Sequence, residues 1–106
     1  MSVNMPIDEN SRTMPIYSKT NITLAAPTTT LVKTGSGILH SITVTKPANT
    51  GTIKVDDALT DTNPMVGTIT SPSTLVPYTL TFDIAFTTGL TIVTATAAQE
   101  ITVTYL

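Results

Sequence analysis

The chain contains no cysteine and no tryptophan, and only 5% of its 106 residues are aromatic. Without cysteine there are no disulfides, no thiolate metal sites and no cysteine nucleophile. With so few rings, any core must be assembled from Ile, Val, Leu and threonine methyl groups. Charge is scarce as well: five basic and seven acidic residues leave a formal net charge of −2. Nucleic-acid affinity rests on clustered Lys and Arg and on stacking rings, so neither DNA nor RNA is an expected partner. No segment approaches the ~18 consecutive apolar residues of a membrane-spanning helix, and no membrane association is expected. Met1–Glu9 lacks the basic start and apolar run of a secretory signal, which points to synthesis in the cytosol.

What the chain has instead is threonine at alternate positions, as in Ser41-Ile42-Thr43-Val44-Thr45, Thr79-Leu80-Thr81-Phe82-Asp83 and Thr102-Val103-Thr104. Period-two alternation describes strands with one face in a core and the other in water. Threonine suits the wet face because its branched Cβ favours extended backbone while its hydroxyl stays hydrated. No segment sustains a helical period. The length suits one domain with one core. Burying an aliphatic side chain contributes roughly 1.5–3 kcal/mol against about 1–2 kcal/mol to order each backbone residue, so a core poor in rings benefits from an oligomer or a host surface.

Residues 1–19 form a segment of their own, with two prolines and the polar run Asp8-Glu9-Asn10-Ser11-Arg12-Thr13. Val3, Met5 and Ile7 alternate, and Met14 and Ile16 resume the pattern, followed by Tyr17. We read this segment as an extended arm whose residues Val3, Met5, Ile7, Met14, Ile16 and Tyr17 dock on a neighbour by strand addition. The domain proper spans 20–106, with eight strand candidates set off by Pro, Gly, Asn and Ser: 20–24, 29–33, 38–45, 50–56, 65–70, 78–86, 90–94 and 100–105. In the third, Ile38, His40, Ile42 and Val44 are expected on one face. In the sixth, Tyr78, Leu80, Phe82, Ile84 and Phe86 share a face carrying most of the ring surface, which predicts a central strand. The fold class is therefore all-β, a jelly-roll-like antiparallel β-sandwich of about eight strands with an extended N-terminal arm. An immunoglobulin-like sandwich competes, without the Cys and Trp that would mark it.

Few residues suggest chemistry. His40 is the only histidine, so no His pair can ligate zinc, and a strand position suits a hydrogen-bonded core or interface residue. Ser36, His40 and Asp56 could be drawn as a hydrolytic triad, but nothing in their spacing brings them together. Asp56, Asp57 and Asp61 share one polar loop with Asn63 and offer hard oxygen ligands, the best metal candidate here. The loop lacks the glycine and distal glutamate of the helix-loop-helix calcium motif, and a solvated acidic loop is the plainer reading. No cofactor is expected. Asn21-Ile22-Thr23 matches a glycosylation acceptor, as chance allows in a threonine-rich chain. Thr-X-Thr pairs begin at 43, 50, 60, 68, 79 and 102, and such uneven steps cannot stack into the regular hydroxyl ladder of an ice-binding solenoid.

Gly37-Ile38-Leu39-His40-Ser41-Ile42-Thr43-Val44, Gly51-Thr52-Ile53-Lys54-Val55-Asp56-Asp57, Tyr78 through Ile92, and Ile101-Thr102-Val103-Thr104-Tyr105 together resemble the small β-sandwich decoration proteins of tailed bacteriophages. The resemblance spans about residues 35–106 and its motifs are fold markers, not catalytic ones. It implies a non-enzymatic capsid decoration or cement protein, a homotrimer bound to the major capsid protein on the virion surface. An alternative from another class is a carbohydrate- or receptor-binding module of a phage tail or fibre, for which Tyr17 and Tyr105 are the available rings. A hydrolase would need a cleft of converging acids or a nucleophile that the sequence does not assemble.

Overall fold

The computed structural model describes residues 16–23, 28–72 and 74–106. Eight strands occupy them: β1 Ser18–Ile22, β2 Thr28–Thr34, β3 Gly37–Lys46, β4 Thr52–Asp56, β5 Pro64–Thr70, β6 Tyr78–Phe86, β7 Gly89–Ala95 and β8 Glu100–Tyr105. All pairings are antiparallel, in two four-stranded sheets ordered β1-β8-β3-β6 and β2-β7-β4-β5. β1 pairs with β8, β2 with β7, β3 with β6 and β4 with β5. The chain thus forms one long two-stranded ribbon folded over itself, and β3–β8 and β4–β7 contacts close the sheets. This is the jelly-roll arrangement that the count of eight strands suggests, with an order that the pairings supply. β1 starts at Ser18, so the sheet takes in two residues that the sequence pattern assigns to the arm.

The core lies between the sheets and is aliphatic. Leu39, Ile42 and Val44 of β3, Ile53 and Val55 of β4, Leu90 and Ile92 of β7, and Ile101 and Val103 of β8 are at most 1% exposed. Phe86 is the one ring among the fully buried side chains, with Tyr78, Phe82 and Tyr105 packed around the margin. The molecule is only 19 Å thick along its shortest axis, about what two sheets ~10 Å apart need once outward side chains are added.

Two expectations about individual strands require correction. β6 is an edge strand, not a central one, because among the described residues no strand pairs with it on the side away from β3. Its apolar face is nonetheless used, since the sandwich interior reaches the edge. In β3 the expected face fails at its start: Ile38 is 38% exposed while Leu39 is completely buried. The register between Leu39 and Ser41 is irregular against both β6 and β8, where β6 uses three steps and β8 one for the two steps of β3. An inserted residue reverses the alternation, so Leu39 precedes the irregularity on the inner face and Ile42 and Val44 follow it there. Asp83 of β6, opposite this point, has φ 52° and absorbs the extra length.

Residues 96–99 join β7 to β8 as an irregular connection without a helix. It holds Thr96 at φ 71°, a left-handed conformation that a β-branched residue adopts at a cost of about 1–2 kcal/mol. Thr96 is exposed and its side chain has no hydrogen bond that would compensate. Thr96→Gly is expected to raise the midpoint of thermal unfolding, with a gain of up to about 1 kcal/mol after glycine's own entropy cost; an unchanged or lower midpoint would contradict the strain.

Candidate functional site

The outer face of β1-β8-β3-β6 carries the threonines that the alternation assigned to water, and the strand registers line them up. Asn21, Thr102, Thr43 and Thr79 stand in one row across all four strands, and Lys19, Thr104, Ser41 and Thr81 form the next. Neighbours within the rows are hydrogen-bonded: Thr102 Oγ1 donates to Asn21 Oδ1 at 2.8 Å, the Thr43 and Thr79 hydroxyls lie 3.0 Å apart, and those of Ser41 and Thr104 2.6 Å apart. These bonds hold the polar atoms in fixed positions, which lowers the entropy lost when a partner binds them. The uneven spacing along the chain concealed the rows, because their members come from strands distant in sequence.

One end of this face is marked by an aromatic and a charged group. The irregularity at residue 40 brings His40 Nδ1 to 2.6 Å from Asp83 Oδ1, with the ring nitrogen donating to the carboxylate. Tyr17 stacks on the imidazole with centroids 4.0 Å apart and planes 8° from parallel. His40 thus lies outside the apolar core, contrary to the face expected from alternation, and Ser36 and Asp56 have no part in its contacts. The stack fixes where the chain leaves β1 toward its N-terminus. Ile16, next to it, is 51% exposed, so it is free to meet a partner. Val3, Met5, Ile7 and Met14 lie outside the described residues.

The acidic loop does not gather its carboxylates as a metal site. Among the described residues no three His, Cys, Asp or Glu side chains converge. Asp57 turns away to the β6–β7 turn, where it accepts the backbone N–H groups of Thr87 and Thr88 at 2.9–3.1 Å and the Thr87 hydroxyl at 3.2 Å. These donors, the Thr88 N–H foremost, hold its pKa below the ordinary 3.8. A lowered folded pKa contributes stability above the unfolded value that is lost as pH falls through the folded one. Asp57→Asn should therefore lower the melting temperature at neutral pH and flatten its fall below pH 3.8; parallel curves for the two proteins would refute this assignment.

Asp56 and Asp61 behave differently. The Asp56 side chain is completely buried, neither carboxylate oxygen has a hydrogen-bond partner, and Lys54 Nζ stands 3.7 Å from its Oδ1. Burial pushes its pKa up despite the ammonium. Here the sign is opposite: the ionised form is destabilising, increasingly so as pH rises through the folded value. Asp61 pairs with Lys54, which lowers the Asp61 pKa, and that contact raises the pKa of Lys54 in turn. Ala58 of the same loop is buried, and its carbonyl accepts the Thr91 hydroxyl at 2.7 Å, so the loop covers this part of the β4–β7 surface. The sequence marks the acids, but Lys54, at an outward position of a strand, carries no local signal of its contact with them.

Both rings offered for sugar binding are engaged. Tyr17 gives one face to His40, and the Tyr105 hydroxyl reaches the Thr20 hydroxyl at 3.2 Å. No family model, curated protein or solved structure matches the chain.

Proposed function

We propose that this protein is a non-enzymatic virion structural protein, a capsid decoration or cement protein that binds a shell of major capsid protein and stabilises it. The observation that carries this reading is the face of β1-β8-β3-β6, where two hydroxyl rows are held by their own hydrogen bonds on a rigid sheet. Fixed donors and acceptors over a broad surface suit docking onto another protein. Jelly rolls serve in both viral capsid and lectin domains, so topology alone does not select between them. The stacking of Tyr17 on His40 and the tie of the Tyr105 hydroxyl to Thr20 favour the capsid reading over the sugar-binding one. A trimer placed where capsid subunits meet, with residues 1–15 reaching a neighbour, completes the proposal.

Co-sedimentation with undecorated capsids tests it. The wild-type protein should bind in a fixed ratio and raise the temperature at which the shells open. Thr43→Arg with Thr102→Arg should abolish binding with the fold retained, since both side chains stand on the hydroxyl face. Removing residues 1–15 should weaken attachment and leave the melting temperature nearly unchanged. Failure of the wild-type protein to sediment with any shell, together with selective retention on a glycan array, would replace this function with the sugar-binding one.

A further inference from the structure

The loop over β4 and β7 juxtaposes an amine, a carboxylate and a buried acid. Lys54 projects from β4 to contact Asp61 of the loop; their side chains are 27% and 47% exposed. Asp56, two residues along β4 from Lys54, is completely buried and lies 3.7 Å from the same nitrogen. An ion pair at a surface explains Lys54 and Asp61. It does not explain why a completely buried carboxyl group sits against them with no hydrogen bond to either oxygen, because burying a polar group without one is costly. A carboxyl group that alternately gives and takes a proton beside a reacting amine would have that placement.

We propose that Lys54 and Asp61 condense to an intramolecular isopeptide bond, with Asp56 as the proton shuttle. One ammonium proton passes to the Asp61 carboxylate, leaving an amine and a carboxylic acid. The nitrogen lone pair adds to Asp61 Cγ, forming the C–N bond. Asp56, entering as the acid, donates its proton to a hydroxyl on that carbon and takes one back from the nitrogen. The C–O bond breaks and water departs. The products are one amide, one water and Asp56 again in its acid form, so the reaction needs no oxidant or second substrate. Two observations make the reaction feasible. The reacting groups are already in contact, and well-oriented intramolecular partners reach effective molarities of about 10⁵–10⁸ M. Burial also favours the uncharged form of Asp56 that the first donation requires. The bond would anchor the loop that shields Asp56 and Thr91, independently of whether the protein decorates a capsid.

Intact mass of the unfolded full-length protein tests the bond. The expected value is one water lighter than the sequence. Trypsin provides the second readout: no Lys or Arg follows Lys54, so an unmodified chain releases residues 55–106 as one fragment, whereas an acylated Lys54 blocks that cut. Blocked cleavage separates the isopeptide from a cyclised aspartate, which also loses water but leaves Lys54 cleavable. Lys54→Arg and Asp61→Ala should each have the full mass of their sequences, and Asp56→Asn should keep Lys54 cleavable in a folded protein. Full mass and release of 55–106 from wild-type protein, after prolonged incubation in the folded state, would overturn the proposal. A mass deficit that persists in Asp56→Asn would overturn the role of Asp56.

Discussion

Replacing Phe86 with alanine is expected to cost about 3–5 kcal/mol, the range for removing a buried aromatic side chain. Phe86 is 1% exposed and is the largest of the fully buried side chains, in a core otherwise built from aliphatic groups. Its surroundings have little freedom to collapse into the space. Gly37 faces it across the β3–β6 pairing, and a Cβ there would overlap both the ring and the Leu106 carbonyl. That carbonyl is itself held by the Ile38 N–H at 3.1 Å and by Lys33 Nζ at 3.1 Å, and the ammonium lies 6.0 Å from the ring centroid. Since a domain of this size has about 5–15 kcal/mol in total, the loss is a large share of it. Chemical denaturation of Phe86→Ala beside Phe86→Leu checks this: leucine should recover part of the loss, and a penalty under about 1 kcal/mol for alanine would mean the ring is not the anchor of the core.

Gly51→Ala should destabilise the fold by about 1–3 kcal/mol, although it adds only a methyl group. A Cβ at residue 51 would come 2.5 Å from Gln99 Cδ and 2.6 Å from its Nε2. The end of a glutamine ordinarily moves aside, but Gln99 is completely buried. Its Oε1 accepts the Ser71 hydroxyl at 2.6 Å, and the Gly51 carbonyl receives the Ser71 N–H at 2.8 Å. Displacing the amide would strand these groups without water. The clash makes a specific demand on a double-mutant cycle: in a Gln99→Ala background, Gly51→Ala should cost less than in the wild type. Additive penalties would show that the damage comes from the backbone and not from Gln99.

The strands were legible because burial on one face writes a period of two into β3, β6 and β8, and Pro, Gly and Asn mark where each stops. Individual side-chain neighbours were less so. Gln99 follows a run of small residues, and nothing local reveals that its amide will be enclosed by Ser71, Gly51 and Thr52. Lys54 fitted its outward strand position, and only the fold of the 57–63 loop brings Asp61 to it while sealing Asp56 away from water. Of the three loop acids, Asp56 and Asp61 both meet Lys54, whereas Asp57 turns away because it finds backbone donors on the β6–β7 turn.

The amino-acid order by itself determined that this protein is an all-β sandwich of about eight strands with an aliphatic core and a threonine-covered exterior. Those properties follow from local alternation and turn chemistry, which need no knowledge of distant residues. Tertiary structure alone decided the β1-β8-β3-β6 and β2-β7-β4-β5 orders, the edge position of β6, the exposure of Ile38 and the alignment of Thr43, Thr79 and Thr102 into one row. Each depends on which strands pair and at what register, and registers are set by contacts between segments up to 87 residues apart, as with Ser18 and Tyr105.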